Sequence, residues 1–172
     1  MKKIIHSKDF ISMPWKNGGG TTREIFRYPE TGEWNFRISI AQVNQSGPFS
    51  IFNGFMRHLL LLTGKGMVLH SETGDYIMDT PLVPYTFSGE ISIDAELISG
   101  PNTDFNVFWN QALYECSIEV IDNPIEKNIV LGASEFCYIY TVADDQCLCL
   151  NDIAQEIEIK ANSIFIHLKT IS

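Results

Sequence analysis

Period-two patterning of apolar residues dominates this chain, and nowhere do they recur at helical spacing across three turns. That period belongs to strands, whose side chains alternate between two faces. Trp34, Phe36, Ile38 and Ile40 alternate with Asn35, Arg37, Ser39 and Ala41, giving one apolar and one polar face. Leu59 to Leu62 reads as a strand buried on both sides and closed by the turn Gly64-Lys65-Gly66. Met67 to His70 returns from it, and Ser71 to Gly74 marks the next turn. Tyr85 to Phe87, Ile91 to Ile98, Phe105 to Trp109, Tyr114 to Ile121, Phe136 to Val142, Cys147 to Leu150, Glu156 to Ile159 and Ile164 to Leu168 continue the series. Glu126 to Leu131 is too short for a helix. Short strands separated by Gly, Pro, Asn and Asp turns indicate an all-β sandwich or closed barrel.

A chain of 172 residues is long enough for one compact unit, and buries about 70% of its unfolded surface without needing a disulfide or metal. A weak duplication divides it into halves of about 1–105 and 106–172, with a seam near residues 100–115. The formal charge of −9 argues against nucleic acid and against an anionic membrane surface. Any anion bound here must meet a local cluster of cations. Cysteines 116, 137, 147 and 149 contain no C-x-x-C pair, which points to reduced buried thiols in a cytoplasmic protein. No apolar region follows Lys2 and Lys3, so no signal peptide is expected, and no apolar run is long enough to span a bilayer. Edge strands in an all-β chain need covering, and a homodimer is a common way to do it.

The stretch Met13 to Ile25 places Pro14, Trp15, Lys16 and Asn17 before Gly18, Gly19 and Gly20, then Thr21, Thr22, Arg23 and Glu24. Such a loop can offer main-chain N–H groups, an ammonium and an amide to one small ligand. It can equally be a tight strand connection that merely needs glycines. The phosphate-loop pattern wants its lysine after the glycines and a helix next; Lys16 precedes them and a strand is expected to follow.

Together with Arg37 to Ala41 leading to Gly47-Pro48-Phe49-Ser50, and Gly100 to Asn106, this stretch resembles the HutD/Ves family of bacterial proteins, in order and spacing over about the first 110 residues. The resemblance implies a cupin-type β-barrel or sandwich with two cupin modules in one chain. It also implies a link to histidine utilisation, in which HutD-type proteins bind a small pathway metabolite and modulate flux. It brings no catalytic activity with it.

Catalytic cupins mostly hold a metal with two histidines and a glutamate from one motif and a histidine from a second. Aligning the E-x6-G end of the first motif on Gly64 puts Arg57 at the glutamate, and no histidines lie near Ser50 to Asn53. The second motif needs a histidine soon after Pro81 to Pro84, yet none occurs between His70 and His167. A cation cannot ligate a metal, so no required metal or other cofactor is expected. His70 and Glu72 make at most a two-ligand fragment, more simply read as a solvated hairpin end.

Cations in place of ligands suit a carboxylate, because the planar fork of arginine pairs both its oxygens. Lys16, Arg37 and Arg57 are the candidate cations, with Asn17, Gly18, Gly19, Thr21, Ser39, Asp104 and Asn106 supplying hydrogen bonds. Each has a plainer reading: Arg37 and Ser39 on a solvated strand face, Arg57 on the surface, Asp104 and Asn106 as turn residues. The resemblance weighs most on Lys16, Asn17 and Thr21, while Trp15 reads as core. A ligand of roughly ten to twelve heavy atoms at about −0.5 kcal/mol per atom would bind at roughly tens to hundreds of micromolar.

The expectation is a non-catalytic binder of a small carboxylate metabolite, a histidine-degradation intermediate such as formylglutamate. The alternative is a cupin enzyme, metal-dependent or using Glu24 or Asp104 as general base; Glu24 is more simply a strand-end ion pair.

Overall fold

The computed structural model describes residues 1–171. Fifteen strands run along them: β1 Lys2–His6, β2 Ile11–Pro14, β3 Gly20–Tyr28, β4 Phe36–Val43, β5 Gly47–Pro48, β6 Phe55–Thr63, β7 Met67–Ser71 and β8 Gly74–Met78, followed by β9 Tyr85–Ser88, β10 Asp94–Leu97, β11 Asn102–Asn110, β12 Tyr114–Ile121, β13 Ile125–Thr141, β14 Gln146–Ile159 and β15 Ser163–Thr170. A single 3-10 turn, Ser7–Asp9, is the only helical piece among the described residues. None of them forms a helix long and apolar enough to cross a membrane.

Two compact units emerge: Ile11–Gln111, and Met1–Phe10 with Ala112–Ser172. The strand β11 runs unbroken through residues 105 and 106, paired on both sides, and so belongs whole to the unit Ile11–Gln111. The first ten residues join the later unit because β1 pairs antiparallel with β14.

The unit Ile11–Gln111 contains a six-stranded sheet in the order β2-β3-β4-β11-β6-β9 and a four-stranded sheet in the order β5-β10-β7-β8. Ala41, Val43, Leu59, Leu61 and Phe87 from the first sheet meet Met67, Leu69, Met78 and Ala95 from the second in one buried cluster. This is the face-to-face packing of a β-sandwich. Phe36, Ile38, Ile40, Leu60, Phe105 and Val107 on the opposite face of the six-stranded sheet are also fully or almost fully buried. Leu59, Leu60 and Leu61 are therefore buried on both sides, as their unbroken apolar run requires.

The other unit is a five-stranded antiparallel sheet in the order β1-β14-β13-β15-β12. Its long hairpin β13–β14 carries a register shift between Leu131 and Phe136. Stretches that read separately from sequence, Cys147 to Leu150 and Glu156 to Ile159, are one strand, β14. The segment Glu126 to Leu131 lies in β13. Cys137, Cys147 and Cys149 are buried, and all four cysteines are free thiols.

Candidate functional site

The register of the six-stranded sheet decides which residues share its inner face, because directly opposed residues project to the same side. Arg37 on β4 and Arg57 on β6 both stand opposite Phe108 on β11. One step along the same face, Ser39 and Leu59 flank Asn106; the next step sets Ala41 and Leu61 beside Asp104. On β3, Glu24 lies opposite Ser39 and Thr22 opposite Ala41. The pleat of β3, β4, β6 and β11 thus brings two cations, Arg37 and Arg57, two carboxylates, Glu24 and Asp104, and the polar groups of Thr22, Ser39 and Asn106 onto a single surface.

That surface lines a cavity of about 530 Å³. Arg37, Ser39, Arg57, Asp104 and Asn106 form its polar side, with Lys16 and Asn17 reaching it from the β2–β3 loop. Phe49, Phe52, Phe108, Pro48 and Val43 supply apolar wall. Three of the twelve lysines and arginines in an acidic chain therefore surround one cavity.

The face is buried, not solvated. Ser39 is 2% exposed, Arg57 7%, Asn106 3% and Asp104 0%. The surface reading of Arg57 and the turn reading of Asp104 and Asn106 are both overturned: the strands run through these positions. Arg57 lies against three rings, its Cζ 4.5 Å from the Phe49 centroid, 5.0 Å from Phe108 and 5.4 Å from Phe87. Its Nε donates to Asn106 Oδ1 at 2.9 Å, and its Nη2 donates to the same oxygen. Asn106 Nδ2 in turn donates to Asp104 Oδ1 at 3.0 Å. Asp104 Oδ2 is buried with no hydrogen-bonding partner in the protein.

Burial, opposed by the charge of Asp104, lowers the Arg57 pKa to about 10. Burial likewise pushes the Asp104 carboxyl up to about 6, against the pull of Arg57, the Asn106 amide and nearby main-chain N–H groups. Arg37 Nε lies 3.0 Å from Glu24 Oε2, and Arg27 Nε lies 3.6 Å from Glu24 Oε1. Burial draws the Arg37 pKa down while Glu24 holds it up. Glu24 is therefore an ion-pair partner, but in mid-strand and 7% exposed, not at a strand end. Arg37 also lies 5.5 Å from the Trp34 ring.

The glycine loop is a hairpin between β2 and β3. Trp15 N donates to Gly20 O at 2.9 Å, and Gly18, at φ +73°, donates to Trp15 O at 3.0 Å. Asn17 Oδ1 accepts from Gly19 N at 2.9 Å, which turns its side chain onto the loop itself. Gly18, Gly19 and Thr21 do not line the cavity, whereas Thr22 does. Thr21 stands opposite Gln42 and Thr22 opposite Ala41, so the pleat directs Thr22 inward. Trp15 both packs on the buried cluster and lines the cavity, with its Nε1 donating to Thr22 Oγ1 at 2.8 Å. Phe49, Ser50 and Phe52, in the irregular stretch after β5, are cavity residues that no sequence period marks.

The donor set does not fit a divalent metal. Asp104 is the one carboxylate lining the cavity, beside two arginines and a lysine. No group of three or more His, Cys, Asp or Glu side chains converges among the described residues. His70 does not combine with Glu72; it bonds Asp75 Oδ1 at 2.9 Å and Glu96 Oε2 at 3.1 Å on the four-stranded sheet.

An all-β fold with a cation-lined cavity inside one two-sheet sandwich defines the class. The chain belongs to the HutD family, whose model matches residues 7–170. An uncharacterised 21.2 kDa protein in the hutC 3′ region of Pseudomonas putida is 36% identical over 127 residues, covering 70% of this chain and 64% of that protein. Protein Ves of Escherichia fergusonii is 35% identical over 121 residues, 66% of this chain and 62% of its own. The matched stretch thus spans less than two thirds of either relative. Among solved structures, HutD from Pseudomonas fluorescens SBW25 superposes over the whole of both chains with a TM-score of 0.88 and 29% identity.

Proposed function

We propose that this protein is a cytoplasmic, non-catalytic binder of a small carboxylate metabolite, acting to modulate histidine utilisation. The ligand class is a carboxylate-bearing intermediate of histidine breakdown, formylglutamate-like in shape and charge. The two compact units would be two cupin modules, with the described cavity inside the one spanning Ile11–Gln111. The reading is carried by one observation: Arg37 and Arg57, flanking Phe108, face an aromatic-walled cavity of about 530 Å³ in a chain whose formal charge is −9. An arginine fork in a poorly solvated wall is the side chain best suited to a carboxylate. Membership of the HutD family, and a relative described by its place beside hutC, support the pathway.

Titration calorimetry with N-formyl-L-glutamate and no added metal tests this. Binding at roughly tens to hundreds of micromolar is expected. Arg37→Ala should cost about 2–5 kcal/mol and abolish it, and Lys16→Ala should weaken it. Undiminished binding in both variants would remove these assignments, and no binding to wild type would remove the ligand class.

A second reading draws on Asp104. A buried carboxyl titrating at about 6 is suited to take a proton from a bound molecule. Conversion of N-formyl-L-glutamate during overnight NMR with protein, absent in Asp104→Asn, would favour it.

A further inference from the structure

We infer that Asp104 reads an N–H donor on the ligand, so that the cavity selects small molecules carrying both a carboxylate and an amide or ammonium N–H. The inference rests on the carboxylate-binding reading above and narrows its ligand class.

Asp104 is wholly buried in the wall of the cavity, beside main-chain N–H groups, yet its Oδ2 makes no hydrogen bond within the protein. Oδ1 accepts from Asn106 Nδ2, and Oδ2 has no partner. The nearby cation does not fill the gap, because Arg57 directs Nε and Nη2 to Asn106 Oδ1. Asn106 is thereby fixed in orientation: a flipped amide would set its NH₂ against the guanidinium and its oxygen against the carboxylate. An acceptor left unpaired in a buried site is costly and calls for an explanation. A donor arriving with the ligand supplies one.

The alternatives at this position are poorer. A second ligand carboxylate or an ester oxygen facing Oδ2 would place acceptor against acceptor. The rest of the surrounding row, Ala41 and Leu61, offers no side-chain donor. With its carboxyl titrating at about 6, Asp104 is an anionic acceptor at neutral pH.

The test compares N-formyl-L-glutamate with its ester isostere, in which oxygen replaces the N–H, by calorimetry at pH 7.5. Wild type should favour the amide by roughly 10–100-fold, as expected for one hydrogen bond to a charged acceptor. Asp104→Asn should lose most of that preference, weakening the amide while leaving the ester bound as well or better. Arg37→Ala should lose both ligands. Equal binding of the two by wild type would overturn the role of Asp104 and leave the carboxylate reading standing. A preference that survives in Asp104→Asn would do the same. Failure of both ligands on wild type would overturn the carboxylate reading and this inference with it.

Discussion

Arg57 and Asn106 are joined by two hydrogen bonds that share one acceptor, since Nε and Nη2 both point at Asn106 Oδ1. The amide is the link between a buried cation and a buried anion that do not pair directly. Asn106→Leu should therefore strand two guanidinium donors and Asp104 Oδ1 at once. A loss of about 2–4 kcal/mol in urea unfolding is expected, more than one ordinary hydrogen bond carries. Non-additivity with Asp104→Asn in a double-mutant cycle would verify the shared network.

The pH dependence of Asp104 runs opposite to that of a salt-bridged carboxylate. Its folded pKa of about 6 lies above the ordinary 3.8, so the folded state holds the proton more tightly. Its contribution to stability is greatest when protonated and declines as pH rises from about 4 to 6. Wild type should gain on Asp104→Asn as pH falls through that window, by about 3 kcal/mol at most. Arg57, Arg37 and Lys16 all border the same cavity. Removing the nearest of these charges, in Arg57→Met, should move the Asp104 titration upward in carboxyl-carbon NMR.

Glu24 and a ligand carboxylate would compete for Arg37. Glu24→Gln leaves Arg37 without its nearest counter-charge, so it should lower stability by about 1–3 kcal/mol. The same change should tighten carboxylate binding at low salt. Weaker binding would mean instead that Glu24 is needed to position Arg37.

Two glycines of the hairpin should respond differently to alanine. A Cβ on Gly20 would lie 2.3 Å from Gln42 O and 2.9 Å from the Trp15 ring, so Gly20→Ala must displace backbone or indole. A loss of about 2–3 kcal/mol and a changed Trp15 fluorescence are expected. Gly18→Ala meets nothing within 4 Å and pays only for its φ of +73°, about 1 kcal/mol.

The strand period was enough to read β4 and β11, and with them the shared face of Arg37 and Ser39 and that of Asp104 and Asn106. It could not say that this polar face is buried, because a solvated sheet face and a polar cavity wall alternate alike. Thr21 and Thr22 are indistinguishable until the pairing with β4 is known. The strands β1 and β2 lie in a stretch where exposed positions dominate, so no alternation marks them. Phe49 and Phe52 are placed by an irregular segment, which leaves no periodic trace.

The pairing of β1 with β14 has a consequence for biosynthesis. Residues 2–6 leave the ribosome well before their partners, residues 146–150, have been made. The contiguous block Ile11–Gln111 has all its own strand partners once residue 111 is out. Folding during translation should therefore complete the ligand-cavity block first, while the β1 ribbon stays unpaired until β14 follows it out.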